Sequence, residues 1–296
     1  MNVARRLELP QWLRYSLFAM LAYGVWGAVS SLESQTVSAL TLQIVSTIGL
    51  FPVALVLLFS KNLRRGVNHS RGILFAVATG ILGGAGNLTL YETLRIGGKA
   101  SVVFPLTGMY PLVTIIMARL FLKERLNRVQ GLGVALALGA VYLFSAQQGP
   151  GGFSGWGDLF SPWMVYAFLT LLLFGFACVT QKMATRYISD ELSTICFAIG
   201  FVLLAIIIWV AFTPSWNLSV KDWALGIVVG LLLGAGGLAL FAAFRFGKAS
   251  VVTPLTALYP LVTVILAVTF FHERLDPIKT VAIAVSLVAG MALSKE

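Results

Sequence analysis

Several hydrogen-bonding and aromatic side chains interrupt the long apolar runs of this 296-residue sequence. Trp26 and Ser30 are four residues apart, and so are Asn87 and Tyr91, which places each pair on one face of a helix. A buried amide, indole or phenol without a hydrogen-bond partner is unfavourable, so these groups are expected to face a cavity or a neighbouring helix. A few such groups among aromatic walls suit a small zwitterionic or aromatic solute. The residues predicted to contact that solute are Trp26, Ser30, Gln43, Asn87, Tyr91, Tyr110, Trp163, Tyr166 and Tyr259.

Two of these residues also have a structural interpretation. Trp163 lies near the end of an apolar run, where tryptophans form interfacial belts in membrane proteins. Asn87 lies in a glycine-rich run, where an amide also suits a hydrogen bond between helices. The sequence leaves both alternatives open.

The residue types do not favour catalysis or metal binding. None of the eleven Asp and Glu residues falls at the centre of an apolar run, although a proton relay normally needs a carboxylate or histidine there. Cys178 and Cys196 match no metal-ligand spacing, and there is no Walker A motif. We therefore expect no catalytic residue, no metal site and no cofactor. Glu92 is the best candidate for proton sensitivity, and facilitated diffusion stays open as an alternative.

The composition shows which kind of element must position these side chains. The chain is 58% hydrophobic and 11% charged, with a mean hydropathy of +0.91, whereas a soluble domain carries about 25% charged residues. This composition indicates an all-α integral membrane protein, because its continuous apolar runs lack the alternation of a membrane β-barrel. A membrane-spanning helix needs about 20 apolar residues. Ten such helices are predicted, at 13–32, 37–59, 71–92, 99–121, 126–146, 162–182, 189–211, 222–244, 248–271 and 276–294.

The formal net charge of +10 would suggest nucleic acid in a soluble protein. Here sixteen of the 21 Lys and Arg residues fall on one side of the predicted spans and five on the other. Cytoplasmic loops accumulate Lys and Arg, so both termini are predicted to be cytoplasmic, and nucleic acid is not an expected partner. The expected partners are the lipid bilayer and a small-molecule substrate. The sequence leaves the oligomeric state open and is compatible with a monomer.

The chain contains an internal repeat. Residues 99–126 align without a gap with residues 248–275 and are identical at 19 of 28 positions. Residues 84–101 match residues 234–250 when one glycine is skipped. We predict a first five-helix repeat at 1–146, an extracellular linker at 147–161 and a second five-helix repeat at 162–296. Since five is odd, the second repeat must be inverted in the membrane, as is typical of secondary transporters.

The repeated motifs resemble those of a known family. Each half carries a Lys-Ala-Ser segment, then Leu-Thr and Tyr-Pro, and finally a Glu-Arg-Leu turn. Ten helices in two such halves resemble the drug/metabolite transporter superfamily, in particular its EamA-type members. Within it, the chain looks most like bacterial amino-acid exporters, including the aromatic amino-acid branch. The resemblance implies a basket-like bundle in which helices 1, 3, 4, 6, 8 and 9 surround a central cavity.

Prolines occur at matched places in predicted helices 4 and 9. A proline inside a helix removes a backbone hydrogen bond and kinks the helix, which lipid tolerates only beside other helices or a cavity. We interpret the two segments as hinges for alternating access, and static kinks that improve packing are the alternative. The predicted hinge residues are Pro105, Gly108, Pro111, Pro254, Ala257 and Pro260.

One function is expected from the residues and the resemblance together. The chain would be a secondary transporter or facilitator in the bacterial plasma membrane that moves small metabolites, foremost amino acids including aromatic ones, in the direction of export. The first alternative is an exporter of other metabolites or toxic compounds of the same superfamily. The second is an intramembrane enzyme or a receptor. An enzyme would need a catalytic set within the spans, and a receptor would not need two matched hinge helices.

Overall fold

The computed structural model describes residues 9–34, 36–96, 103, 107–145, 162–259, 261–262 and 277–293. The predicted linker at 147–161 lies outside the described residues, as do Pro105 and Pro260. Ten α-helices lie within them. They are α1 Gln11–Glu33, α2 Ala39–Leu58, α3 His69–Arg95, α4 Tyr110–Met117, α5 Arg128–Ser145, α6 Pro162–Thr185, α7 Asp190–Ala211, α8 Val220–Phe246, α9 Ala249–Thr256 and α10 Pro277–Leu293.

Six of these helices are long and apolar enough to cross a membrane: α1, α2, α3, α6, α7 and α8. Their ends agree with the predicted spans to within three residues. Shorter apolar helices occupy Tyr110–Leu122, Arg128–Ala140 and Thr280–Leu293. The apolar runs therefore located the six longest spans from hydropathy alone.

Polar caps fix where several helices begin. The side chains of Ser38, Asn68 and Ser189 accept hydrogen bonds from backbone N–H groups three residues later, at the starts of α2, α3 and α7. Ser219 and Asp222 form a capping box at the start of α8. Each cap satisfies an N–H group that the first turn leaves unpaired, which stabilises a helix by about 1 kcal/mol.

The predicted fourth helix is interrupted. The backbone makes a turn at Met109, and α4 begins at Tyr110 with Pro111 in its first turn. At that position a proline needs no hydrogen-bond partner and has a favourable φ angle. The helix continues as a π-helix, Ala118–Leu122, which ends at Lys123 with a left-handed φ of 56°.

The predicted ninth helix is interrupted at the equivalent place. α9 contains Pro254 and ends at Thr256, and a turn at 257–259 follows. Ala257 thus lies in the turn, while Gly108 immediately precedes the turn at Met109. Both predicted hinge segments are therefore discontinuous at a tyrosine. Tyr110 directly follows the turn in one repeat, and Tyr259 is the last residue of the turn in the other.

The helices of each repeat pack mainly on helices of the other repeat. α1 packs on α8 and α3 packs on α6, while α2 packs on α8 and α3 on α7. α5 packs on α10. When every helix is replaced by its counterpart five places along the chain, α1–α8 becomes α6–α3 and α2–α8 becomes α7–α3. The set of pairings as a whole is therefore unchanged. The two repeats are thus related by a pseudo-two-fold exchange, and they interlock.

Glycines allow the closest of these crossings. A methyl group on Gly49 would lie 2.8 Å from the Cα atom of Gly230, and one on Gly80 would lie 2.9 Å from the Cα atom of Gly200. Gly80 and Gly230 occupy equivalent positions in the sequence repeat. Gly49 and Gly200 are therefore equivalent too, which extends the repeat to α2 and α7.

The same reasoning extends the repeat to α1 and α6. A methyl group on Gly24 would lie 2.9 Å from the carbonyl oxygen of Tyr259, and one on Gly175 would lie 3.2 Å from that of Tyr110. Because the two tyrosines are equivalent, Gly24 and Gly175 are equivalent as well. Residues of α1 and α2 thus correspond to residues 151 positions later in α6 and α7.

The equivalent helices α1 and α6 run in opposite directions. Trp12, at the start of α1, packs against Gly247. Lys182, near the end of α6, donates a hydrogen bond of 2.7 Å to the carbonyl oxygen of the same glycine. The first helix of one repeat therefore begins where the first helix of the other repeat ends.

Cationic side chains meet at this end of the bundle. Arg245 pairs with Asp190 at 2.7 Å, and Lys248 donates a hydrogen bond of 2.8 Å to the backbone carbonyl of Arg125. With Lys182, these residues define what we call the basic end. Its four cations are among the residues that the charge distribution predicts to be cytoplasmic.

Candidate functional site

A cavity of about 100 Å³ lies between the two repeats. It is lined by α1 and α3 of the first repeat and by α6, α7 and α8 of the second repeat. Four of the nine predicted contact residues are on its wall: Trp26, Asn87, Tyr110 and Tyr259. Four of the predicted solute contacts therefore share one cavity.

Two first-repeat residues of the cavity wall carry buried donors without a well-formed hydrogen bond. Trp26 is 4% exposed and Asn87 is 3% exposed. The amide nitrogen of Asn87 is unpaired, and the indole N–H of Trp26 makes no hydrogen bond of full geometry, although the Tyr91 hydroxyl lies beside it. Buried donors normally find a partner, so these two are available to a molecule in the cavity.

Two further predicted residues lie behind this wall. Gln43 and Tyr91 are fully buried, and neither lines the cavity. The amide of Gln43 and the hydroxyl of Tyr91 also lack hydrogen-bond partners. The Tyr91 hydroxyl lies beside Trp26 and Ser46. The predicted contacts thus include buried polar residues that do not line the cavity as well as residues that do.

Second-repeat residues add an aromatic surface to the cavity. It carries Phe174, Phe197 and Phe201. The rings of Phe197 and Phe201 are 4.8 Å apart, and that of Phe174 lies edge-on to Tyr110 at 5.9 Å. Such aromatic pairs pack favourably beyond their buried area. This wall can therefore hold the apolar part of a solute.

The remaining predicted contacts lie away from the cavity. The hydroxyl of Ser30 donates to the Gly27 carbonyl of its own helix at 3.3 Å. Trp163 is partly buried and packs among apolar side chains that include Trp26. Tyr166 is 38% exposed. None of the three is part of the cavity wall that the structure describes.

Several lining residues were not predicted from the sequence, among them Tyr23, Cys178 and Gln181. Phe174, Cys178 and Gln181 recur at helical spacing on one face of α6, a signal that the sequence contained. Tyr23 and Phe174 are equivalent in the repeat, and each packs on an equivalent glycine of the other repeat. Repeat equivalence would therefore have identified both.

The cavity wall is electrically neutral among the residues that the structure describes. Besides aromatic and apolar groups it offers hydroxyls such as Thr79 and Thr107 and the amides of Asn87 and Gln181. Gln181 donates to the Gly237 carbonyl at 3.3 Å. A neutral wall cannot compensate a net charge, whose burial is strongly unfavourable. It suits a solute that is neutral overall.

Glu124 joins the two repeats at the basic end. Its carboxylate accepts hydrogen bonds from the backbone N–H groups of Ala249 and Ser250, at 3.0 and 2.9 Å, and from the Ser250 hydroxyl at 2.8 Å. These are the first residues of α9, where a carboxylate is favoured by unpaired N–H groups and the helix dipole. The Glu-Arg-Leu turn of one repeat thus caps the Lys-Ala-Ser segment of the other.

Comparison with known proteins decides the family. Two stretches, residues 11–146 and 161–294, each match the EamA-like transporter family. The chain belongs to the EamA-like transporter family. Together with the apolar helices, this membership makes it a multi-pass membrane protein and a transporter of small molecules rather than an enzyme.

Relatives of this EamA-like transporter include two curated proteins. An uncharacterised protein of Methanocaldococcus jannaschii is 32% identical over 102 residues, which cover 34% of this chain and 72% of the relative. An uncharacterised transporter encoded 3′ of cobO in Sinorhizobium sp is 26% identical over 136 residues, which cover 45% of this chain and 96% of the relative.

A solved crystal structure shares the fold of this EamA-like transporter. The TM-score is 0.75, and the match covers 94% of this chain and 96% of the other at 16% identity. At this identity the likeness concerns the fold alone. The arrangement of helices described above is therefore one that an experimentally determined protein also adopts.

Proposed function

We propose that this EamA-like transporter moves small amphipathic metabolites, foremost amino acids including aromatic ones, out of a bacterial cell across its plasma membrane. The observation that carries the proposal is the neutral cavity between the repeats, whose lining combines unpaired donors on Trp26 and Asn87 with aromatic rings. An amino acid with an apolar side chain is a zwitterion without net charge and has one polar and one apolar end. It matches both walls at once.

The proposed topology has ten spans in two inverted five-helix repeats, with both termini in the cytoplasm. The opposite directions of α1 and α6 support the inversion. The basic end supports the orientation, because Lys and Arg accumulate in cytoplasmic loops. An inverted pair gives the transporter two related conformations, one open to each side of the membrane.

Alternating access is proposed to use the broken helices as hinges. The interruption at Met109 immediately precedes Tyr110 and the one at 257–259 includes Tyr259, and both tyrosines line the cavity. A bend at either place would therefore move a cavity wall. Glu124 supports the same proposal, since its contacts with α9 tie the repeats together at the basic end. Opening that end would require these hydrogen bonds to break.

Facilitated diffusion is the proposed mode of transport. No carboxylate or histidine is on the cavity wall that the structure describes, and proton-coupled transporters normally place such a group within the membrane. For the same reason a cationic toxic compound is a less suitable solute than a zwitterion, because the wall offers no counter-charge.

Purified protein in liposomes provides the test. Uptake of labelled amino acids, among them phenylalanine, leucine, serine and lysine, is measured with and without a pH gradient. We expect saturable flux of phenylalanine and leucine, little flux of lysine and no effect of the gradient. Absence of flux for every amino acid would overturn the proposed substrate class, and acceleration by the gradient would overturn facilitated diffusion.

Asn87→Ala tests the site in the same assay. The variant removes an unpaired cavity donor, and we expect the KM for phenylalanine to rise about tenfold, as for loss of a hydrogen bond to a charged group. Ser286→Ala is the matched control. Ser286 is equally buried, but its hydroxyl is bonded at 2.8 Å to a carbonyl of its own helix α10. Equal kinetics of both variants would place the site elsewhere.

A further inference from the structure

Among the residues that the structure describes, most of the buried polar atoms without partners belong to the first repeat. Four residues of the first repeat carry such atoms: the indole nitrogen of Trp26, both amide atoms of Gln43, the amide nitrogen of Asn87 and the hydroxyl of Tyr91. All four side chains are at least nine-tenths buried. We name these four residues the donor wall.

The donor wall is continuous with the cavity. Trp26 and Asn87 face the cavity directly. Tyr91 is one turn beyond Asn87 on the same face of α3, and its hydroxyl lies beside Trp26. The amide nitrogen of Gln43 lies against α3 one turn before Asn87. A methyl group added to Gly84 would lie 3.3 Å from this nitrogen. Gln43 and Tyr91 thus form a second row behind the two donors that line the cavity.

Packing of the fold does not require these polar groups. The repeat equivalence derived above provides an internal comparison, because the corresponding positions of the second repeat lie in the same packing environment. There the equivalents of Trp26, Gln43, Asn87 and Tyr91 are Ala177, Thr194, Gly237 and Phe241. Phe241 is fully buried and differs from Tyr91 only by the hydroxyl. The same scaffold therefore packs without an indole, an amide or a phenol at these places.

The groups of the donor wall match a carboxylate. Three of its five unpaired atoms are N–H donors, on Trp26, Gln43 and Asn87, and the Tyr91 hydroxyl can donate as well. A carboxylate only accepts hydrogen bonds, and bonds to an ionised acceptor are stronger than those to a neutral one. An ammonium group needs acceptors, of which the unpaired set contains fewer.

We propose that the donor wall binds the carboxylate of a zwitterionic solute while Phe174, Phe197 and Phe201 hold its apolar part. The solute therefore has one fixed orientation, with its carboxylate towards the first repeat. Trp26 and Asn87 contact the carboxylate, and Gln43 and Tyr91 are positioning residues behind them. The positive group of the solute lies near the rings of Tyr110 and Phe174, whose faces attract cations. This inference rests on the proposed function and adds the orientation of the solute.

Binding to purified protein separates this inference from transport. Phenylalanine and phenethylamine share the phenyl ring and the ammonium group, and only phenylalanine has a carboxylate. Isothermal titration calorimetry gives the Kd of each compound for the wild type and three variants. Trp26→Phe removes one N–H donor. Asn87→Asp replaces the amide by a negatively charged carboxylate of the same shape. Phe174→Leu alters the aromatic surface that holds the apolar part of the solute.

We expect each variant to have its own selectivity. Trp26→Phe weakens phenylalanine binding about tenfold and leaves the Kd of phenethylamine within twofold. Asn87→Asp weakens phenylalanine binding further and strengthens phenethylamine binding, because the new carboxylate repels one compound and attracts the other. Phe174→Leu weakens both compounds by the same factor. If the wild type binds phenylalanine and not phenethylamine, the carboxylate is required, which supports the proposal.

Two results would overturn it. In one, Trp26→Phe and Asn87→Asp weaken both compounds equally, as a merely structural role would. In the other, neither variant changes either Kd. Binding of neither compound by the wild type would also overturn it. The proposed function is tested separately, by amino-acid flux in liposomes. If the protein transports amino acids but its variants do not discriminate phenylalanine from phenethylamine, only the proposed orientation of the solute is wrong.

Discussion

The carboxylate of Glu124 lies 2.8 Å from the hydroxyl of Ser250, and this contact crosses from the first repeat to the second at the basic end. The same carboxylate also accepts the Ser250 backbone N–H at 2.9 Å. Both residues belong to the motifs that recur in the two halves. A turn between α4 and α5 of one repeat therefore holds the start of α9 in the other.

Weakening this contact is expected to open the basic end. Glu124→Gln keeps the shape and removes the charge, so that the bonds to Ala249 and Ser250 lose strength, by about tenfold in the equilibrium between closed and open forms. Cys178 lines the cavity and reports its accessibility. In a Cys196→Ser background, maleimide labelling of Cys178 should be several-fold faster in the variant. Unchanged labelling would show that these bonds do not close the cavity.

The glycine crossings are expected to tolerate no side chain. Gly49→Ala would place a methyl group against the Ile227 carbonyl and 2.8 Å from the Gly230 Cα atom. Such overpacking typically destabilises a protein by about 1–3 kcal/mol, and we expect a melting temperature several degrees lower. Gly131→Ala in α5 is the matched control. Nothing lies within 4 Å of the added methyl group, and alanine favours a helix by about 1 kcal/mol. A stable Gly49→Ala protein would contradict the close crossing.

The hinge proposal predicts a kinetic effect without loss of affinity. Pro254→Ala restores a backbone hydrogen bond in α9, immediately before the turn at 257–259. We expect slower maximal transport with a KM close to that of the wild type. Pro52→Ala removes a proline from inside α2, which has no such turn beside the cavity, and should transport normally. Equal maximal rates for the two variants would favour static kinks.

Replacing Gln43 is expected to raise stability and to lower transport activity. Both of its amide atoms are buried and unpaired, so Gln43→Leu removes an unfavourable burial and should raise the melting temperature by a few degrees. Because Gln43 supports the donor wall, transport of phenylalanine should slow. Thr194→Val changes the equivalent position of the second repeat. It should neither raise the melting temperature nor slow transport, since the Thr194 hydroxyl already has a partner, the Asp190 carbonyl at 2.8 Å. A destabilised Gln43→Leu protein would mean that the amide has a structural partner.

The six long spans were predictable because each depends on a local property. A run of about 20 apolar residues is readable without knowing its neighbours, and α7 begins within one residue of its predicted start at 189. The breaks near Met109 and Leu258 were not predicted. Proline spacing indicated a bend, but where a helix ends depends on the helices that surround it.

The site was predictable only in part. Trp26 and Asn87 stood out because a polar group in an apolar run needs a reason to be there, and both line the cavity. Tyr166 stood out equally and is 38% exposed. Helical spacing places a residue on a face but does not say what that face contacts. That information came from the packing of one repeat on the other.

The interlocking of the repeats has a consequence for the synthesis of the protein. α1 packs mainly on α8, and α3 packs on α6 and α7, so the first helices to leave the ribosome meet their partners only after more than half of the chain has been translated. Until then the surface around Gly49 and Gly80 is covered by lipid or by the insertion machinery. Such long-range pairing makes assembly slow. A ribosome stalled after α5 would leave in the bilayer a half-protein that has no partner for its central helices.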